Sequence, residues 1–132
     1  MEKLINCDIA IDIEMIENIS GGSQQFEILC STKTGGKYKL VFDFVWDMRY
    51  SIENASIDRF FHFRKHTPKE TVESTIYIVQ DSEYIKYFEN QVSGTRPIDG
   101  LTHYLLCDGL DSTIDVLTME APTLVEVQAC HE

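Results

Sequence analysis

The side chains of this chain with the widest chemical reach are its 22 carboxylates, four histidines and four cysteines. Their spacing decides what they can do. Two carboxylates facing each other across a cleft at a set separation would cleave a glycosidic bond. With this many acids such pairs arise by chance, so no hydrolase is expected. His62 and His66 stand four residues apart, a spacing that grips a metal on a helix. Here it falls where strand-like sequence runs into a polar loop, so no metal site is expected. His103 sits beside Tyr104 in an apolar stretch and reads as a hydrogen-bonded core or edge residue rather than a catalytic base. Cys7, Cys30, Cys107 and Cys130 form no C-x-x-C pair. They are expected to be free thiols packed as small apolar side chains. Asp108, Asp111 and Asp115 crowd one turn without the ligand order of an EF-hand. They suit an Asx-type turn, an acidic contact patch, or both. The glycines frame neither a phosphate loop nor a nucleophile elbow. Trp46, Tyr50 and Phe61 read as core before ligand pocket. No catalytic residue and no cofactor is expected.

Charge carries more information than any of these motifs. No Lys or Arg lies between Lys3 and Lys33, and none follows Arg96. Residues 1–32 hold six acids and one base, residues 33–96 nine acids and ten bases, and residues 97–132 seven acids and no base. The net charge of −11 therefore belongs to the two ends. If these lie side by side in the fold, they build one negative face that attracts basic partners and repels nucleic acid. The candidate face is Asp8, Asp12 and Glu14 together with Asp108, Asp111 and Asp115.

The elements that would position these residues read mainly as strands. A composition 43% hydrophobic and 11% aromatic suits a folded core, and 132 residues suit one domain, 1–132. No apolar run approaches the roughly 20 residues of a membrane span. The first residues lack a signal-peptide pattern, so a cytoplasmic protein without membrane contact is expected. From Tyr38 to Ile52 every even position is apolar or aromatic, the period of a half-buried strand. Sixteen extended residues from Lys37 would reach about 53 Å, too long for a small domain, so the strand must bend, bulge or break near Asp43–Asp47. A competing helix over 48–63 would bury Ile52, Ala55, Phe60 and Phe63.

Phe26, Ile28 and Cys30 alternate before this run. Parity demands a three-residue hairpin loop, expected as Thr34-Gly35-Gly36 with Lys33 opposite Lys37 and Cys30 opposite Leu40. Ile9 to Met15 reads as a strand with an acidic outer face, and 57–63, 75–79, 101–107, 113–118 and 124–127 read as further strands. Asp81 can cap a helix over Ser82–Val92, with Gly94 ending it. The sum is an α+β domain, mainly antiparallel sheet of about seven strands packed with one main helix.

The stretches Tyr84–Gln91, His103–Asp108 and Ile114–Leu117, in a chain of this size and acidity, resemble the C-terminal part of immunity proteins of bacterial toxin–immunity systems, including contact-dependent inhibition. The resemblance implies a non-enzymatic inhibitor that binds one cognate toxin stoichiometrically, a basic nuclease domain above all, and covers its active site. It carries over no individual residue. A domain whose aromatic-lined, curved sheet holds a small molecule or serves as a scaffold is the alternative.

Overall fold

The computed structural model describes residues 2–22, 24–52, 75–92, 100–108 and 112–127. Nine strands and one helix lie among them: β1 Lys3–Asn6, β2 Ile13–Ser20, β3 Gln24–Thr32, β4 Lys37–Phe44, β5 Asp47–Ser51, β6 Ile76–Gln80, α1 Glu83–Val92, β7 Thr102–Cys107, β8 Thr113–Thr118 and β9 Thr123–Val127. They form a five-stranded sheet in the order β1-β6-β7-β8-β5 and a four-stranded sheet in the order β2-β3-β4-β9. All pairings are antiparallel. The expected α+β, mainly antiparallel architecture is present, with nine strands rather than seven.

The sheets share one core. Ile13, Phe26, Ile28, Leu40 and Phe42 from the four-stranded sheet cluster with Ile76, Tyr104, Leu106, Ile114 and Val116 from the five-stranded one. Period-two alternation accounts for this, since one face of each strand is apolar. The opposite face of the five-stranded sheet is buried too. It carries a second cluster, with Leu4, Tyr77, Val79, Leu105 and Cys107, and it receives α1 against β7.

The alternating run from Tyr38 breaks where its length required. β4 belongs to one sheet and β5 to the other. Val45, an exception to the alternation, is buried in the core at the crossing, and Trp46 N–H donates to the Leu117 carbonyl at 2.8 Å. Residues 47–51 are strand. The rest of the competing helix over 48–63, and the strand at 57–63, lie outside the described residues.

Three expectations are corrected. The first acidic strand is β2 at 13–20, not 9–15, and β1 precedes it. Two register shifts interrupt β2, and each adds a residue. Ile13, Ile16 and Ile19 therefore face the core at intervals of three, a spacing that period-two reading misses. The β3–β4 hairpin keeps the expected parity but shifts by two, with Cys30 opposite Tyr38 and Ile28 opposite Leu40. Its loop is Lys33-Thr34-Gly35, closed by Thr32 N–H to Gly36 O at 2.9 Å and Gly35 N–H to Thr32 O at 3.0 Å. Gly35, at φ +93°, fills the left-handed third position that such loops need. Finally, the α1 cap is Ser82, whose Oγ accepts Ile85 N–H at 3.0 Å. Asp81 instead makes the turn from β6 with φ 55°. Gly94 is outside the described residues.

Candidate functional site

The β7–β8 hairpin carries two polar residues on the face that receives α1. His103 is wholly buried and Asp115 is 1% exposed. Alternation puts both on the face opposite Tyr104, Ile114 and Val116, and α1 brings Ser82 to the same place. Ser82 Oγ lies 2.7 Å from His103 Nδ1, and His103 Nε2 lies 2.5 Å from Asp115 Oδ1. An Arg49 terminal nitrogen is 4.0 Å from Asp115 Oδ2, and its guanidinium carbon lies 3.8 Å above the Tyr84 ring. Tyr84 O–H donates to Asp47 Oδ2 at 2.6 Å, and its ring meets His103 edge-on at 5.4 Å. Burial first, and then the acceptor Asp47, push the Tyr84 phenol far above its usual range.

Serine, histidine and aspartate in one hydrogen-bonded row are the parts of an acyl-transfer triad. Their arrangement here differs from such a triad in two ways. In hydrolytic triads serine meets Nε2 and aspartate meets Nδ1; in this chain the nitrogens are exchanged. The Ser82 oxygen is also committed to the helix cap and only 4% exposed. One assignment satisfies every group: Nε2–H donates to Asp115, the Ser82 hydroxyl donates to Nδ1, and Ser82 Oγ accepts Ile85 N–H. Among the described residues no buried side-chain nitrogen or oxygen lacks a partner. The row clamps helix to sheet. His103 is the hydrogen-bonded core residue that its apolar strand predicted.

The six acids proposed as a contact face do not stay together. Asp8, Asp12 and Glu14 are exposed on the approach to β2 and at its start. Asp108, at the end of β7, joins them, because its Oδ2 accepts Ile16 N–H at 3.1 Å while Oδ1 accepts Ser112 N–H at 2.8 Å. That second bond is the Asx-type turn expected from the local sequence. Asp115 leaves the set: its side chain faces His103 inside the protein and is withheld from any surface partner. Asp111 lies outside the described residues. Glu17, not among the six, adds a carboxylate on β2, paired to Lys37 at 3.4 Å, as Asp12 pairs to Lys33 at 3.4 Å.

The idea of one face made by both termini is corrected in the same way. β2 and β9 occupy opposite edges of the four-stranded sheet. Glu126 on β9 is therefore remote from Glu14, and of the described acids after residue 97 only Asp108 reaches the β2 group. The other feature that sequence reading missed is a partly exposed aromatic pair at the crossover: Phe44, which is exposed, and Trp46, which is half-buried, stack edge to face at 5.2 Å. Their place in the alternating run predicted core burial, and the break between sheets removes it. Phe61, His62, His66 and His131 lie outside the described residues. Cys7, Cys30 and Cys107 are in no disulfide. Among the described residues no helix is long and apolar enough to cross a membrane. No family model, curated protein or solved structure matches the chain.

Proposed function

We propose that this chain is a non-catalytic inhibitor of the immunity type, which binds a cationic toxin domain, a nuclease above all, and covers its active site. The observation that carries the reading is the bond from Ile16 N–H to Asp108 Oδ2. It draws the β7–β8 turn onto β2, so that Asp8, Asp12, Glu14 and Asp108 share one end of the sandwich. A nuclease cleft built for phosphates presents the complementary charge. Such complementarity raises the association rate and fixes register more than it adds raw affinity. The smaller surface replaces the two-terminus face, and it needs neither Asp111 nor Asp115.

The closed state of the Ser82–His103–Asp115 row supports a binding role over a hydrolytic one. Of the long strand's aromatics, which motivate the small-molecule alternative, Phe42 is committed to the core. Phe42 lies 6.0 Å from both Phe26 and Tyr104, ring centre to ring centre, and all three are buried. Those aromatics fill the core instead of lining a cup.

The test takes as candidate toxin any basic C-terminal domain found encoded in the reading frame immediately upstream. A one-to-one complex is expected, with an association rate that falls steeply as salt shortens the Debye length from about 10 Å. Asp8→Lys with Glu14→Lys should slow association at low salt by about tenfold or more. Absence of a complex, or an association rate indifferent to both salt and charge reversal, would overturn the proposal.

A further inference from the structure

The end of the sandwich opposite the β2 acids has a different character. There the chain leaves β4 at Phe44 and enters β5 at Asp47, running beside the end of β8. Thr118 Oγ1 donates to the Phe44 carbonyl at 2.6 Å, and Trp46 N–H donates to Leu117 O. Phe44 continues the inward series of Leu40 and Phe42. Those two are wholly buried, whereas Phe44 is 40% exposed. Trp46, the only tryptophan of the chain, is half-buried against it. Met119, directly after β8, is 45% exposed. Single exposed apolar side chains are ordinary. Trp, Phe and Met gathered where two sheets part are the residue types enriched at protein interfaces.

Charge identifies what fits. Residues 41–47 and 117–122 contain Asp43, Asp47 and Glu120 and no Lys or Arg. All three acids are exposed. Asp43 alternates to the outer face of its own sheet, whereas Asp47, on the outer face of the other, is held by the Tyr84 hydroxyl. We infer that this crossover patch is a docking surface for a basic, apolar segment of a partner polypeptide, with Phe44, Trp46 and Met119 as its apolar floor and the Asp43 and Glu120 carboxylates as its rim. A second copy of this chain would set the same acids against themselves. Nucleic acid would meet the rim with like charge. The inference rests on the proposed cationic partner for its biological meaning, but its surface is separate from the β2 acids.

Because Trp46 is the only tryptophan, its emission reports on this patch alone. The probe is a short synthetic peptide alternating Lys and Leu, free of aromatic residues, with Glu–Leu and Lys–Ser peptides as controls. The Lys–Leu peptide should shift Trp46 emission to the blue in a saturable way, and both controls should fail. Asp43→Asn with Glu120→Gln should weaken binding about tenfold, and Phe44→Ser with Met119→Ser about tenfold or more, circular dichroism showing each variant folded. No saturable shift, equal binding of the Glu–Leu peptide, or undiminished binding by the Phe44→Ser, Met119→Ser variant would overturn the inference. So would a concentration-dependent dimer in sedimentation that the same double variant abolishes. A toxin complex that forms while the peptide fails sinks this patch alone. Peptide binding without any toxin complex sinks the immunity reading and leaves the patch standing.

Discussion

Replacing Ser82 by Ala removes one oxygen that holds two groups, the Ile85 N–H at 3.0 Å and the His103 Nδ1 at 2.7 Å. Loss of a serine cap costs about 1 kcal/mol. Leaving Nδ1 buried without a donor costs about 1–3 kcal/mol more, because His103 is shielded from any replacement by water. The expected loss is therefore about 2–4 kcal/mol, a fall of about 1–2 M in the urea midpoint at a slope of about 2 kcal/mol per M. The cap and clamp contributions separate in a double-mutant cycle with His103→Leu, which removes the orphaned nitrogen. On that background Ser82→Ala should cost only the cap, about 1 kcal/mol, giving a coupling energy of about 1–3 kcal/mol. Urea unfolding of the four proteins, followed by far-ultraviolet circular dichroism, measures it. Additivity within about 0.5 kcal/mol would refute the hydrogen bond and with it the clamp.

Two further outcomes follow from local chemistry. Burial, with the Glu17 charge adding to it, pushes the Cys30 thiol from its ordinary 9.0 up to about 11. The folded chain then holds this proton where the unfolded chain has lost it, so the contribution is full below pH 9.0 and disappears as pH rises to about 11. Urea midpoints measured across that window should fall more steeply for the wild type than for Cys30→Ala; parallel curves would contradict the assignment. Two of the left-handed glycines, Gly21 and Gly35, should differ in cost. A Cβ at Gly35 meets nothing within 4 Å, whereas one at Gly21 would lie 2.2 Å from the Gln25 carbonyl oxygen. Gly35→Ala should therefore lose about 1 kcal/mol from backbone strain alone, and Gly21→Ala clearly more. Thermal melting of the pair checks the order, and equal losses would contradict the close approach at Gly21.

Much of the framework is legible without coordinates. Alternation from Phe26 to Cys30 and from Tyr38 to Phe42 names the strands and the side of each that faces inward, whereas Phe44 and Tyr50, apolar positions of the same run, are exposed. The length of the second run requires a break, and parity requires an odd hairpin loop. The strip from Glu83 to Val92 shows its helix through the spacing of Tyr84, Ile85, Phe88 and Val92. These are local properties: side-chain period, turn chemistry and chain reach act over a few residues, and the chain carries them wherever it goes. The segregation of charge is likewise a property of the sequence.

Partners distant along the chain decide the rest. The bulges that make Ile13, Ile16 and Ile19 inward depend on pairing with β3, and the two-residue shift of the hairpin depends on Gly35 taking the left-handed position. That Asp115 is a buried partner of His103 and not a surface acid depends on α1 docking against β7. The separation of the acidic ends depends on β2 and β9 taking opposite edges of one sheet. Period two determines a residue's face but not its sheet, its neighbour or its depth, because those are set by packing between segments that only the folded chain brings together.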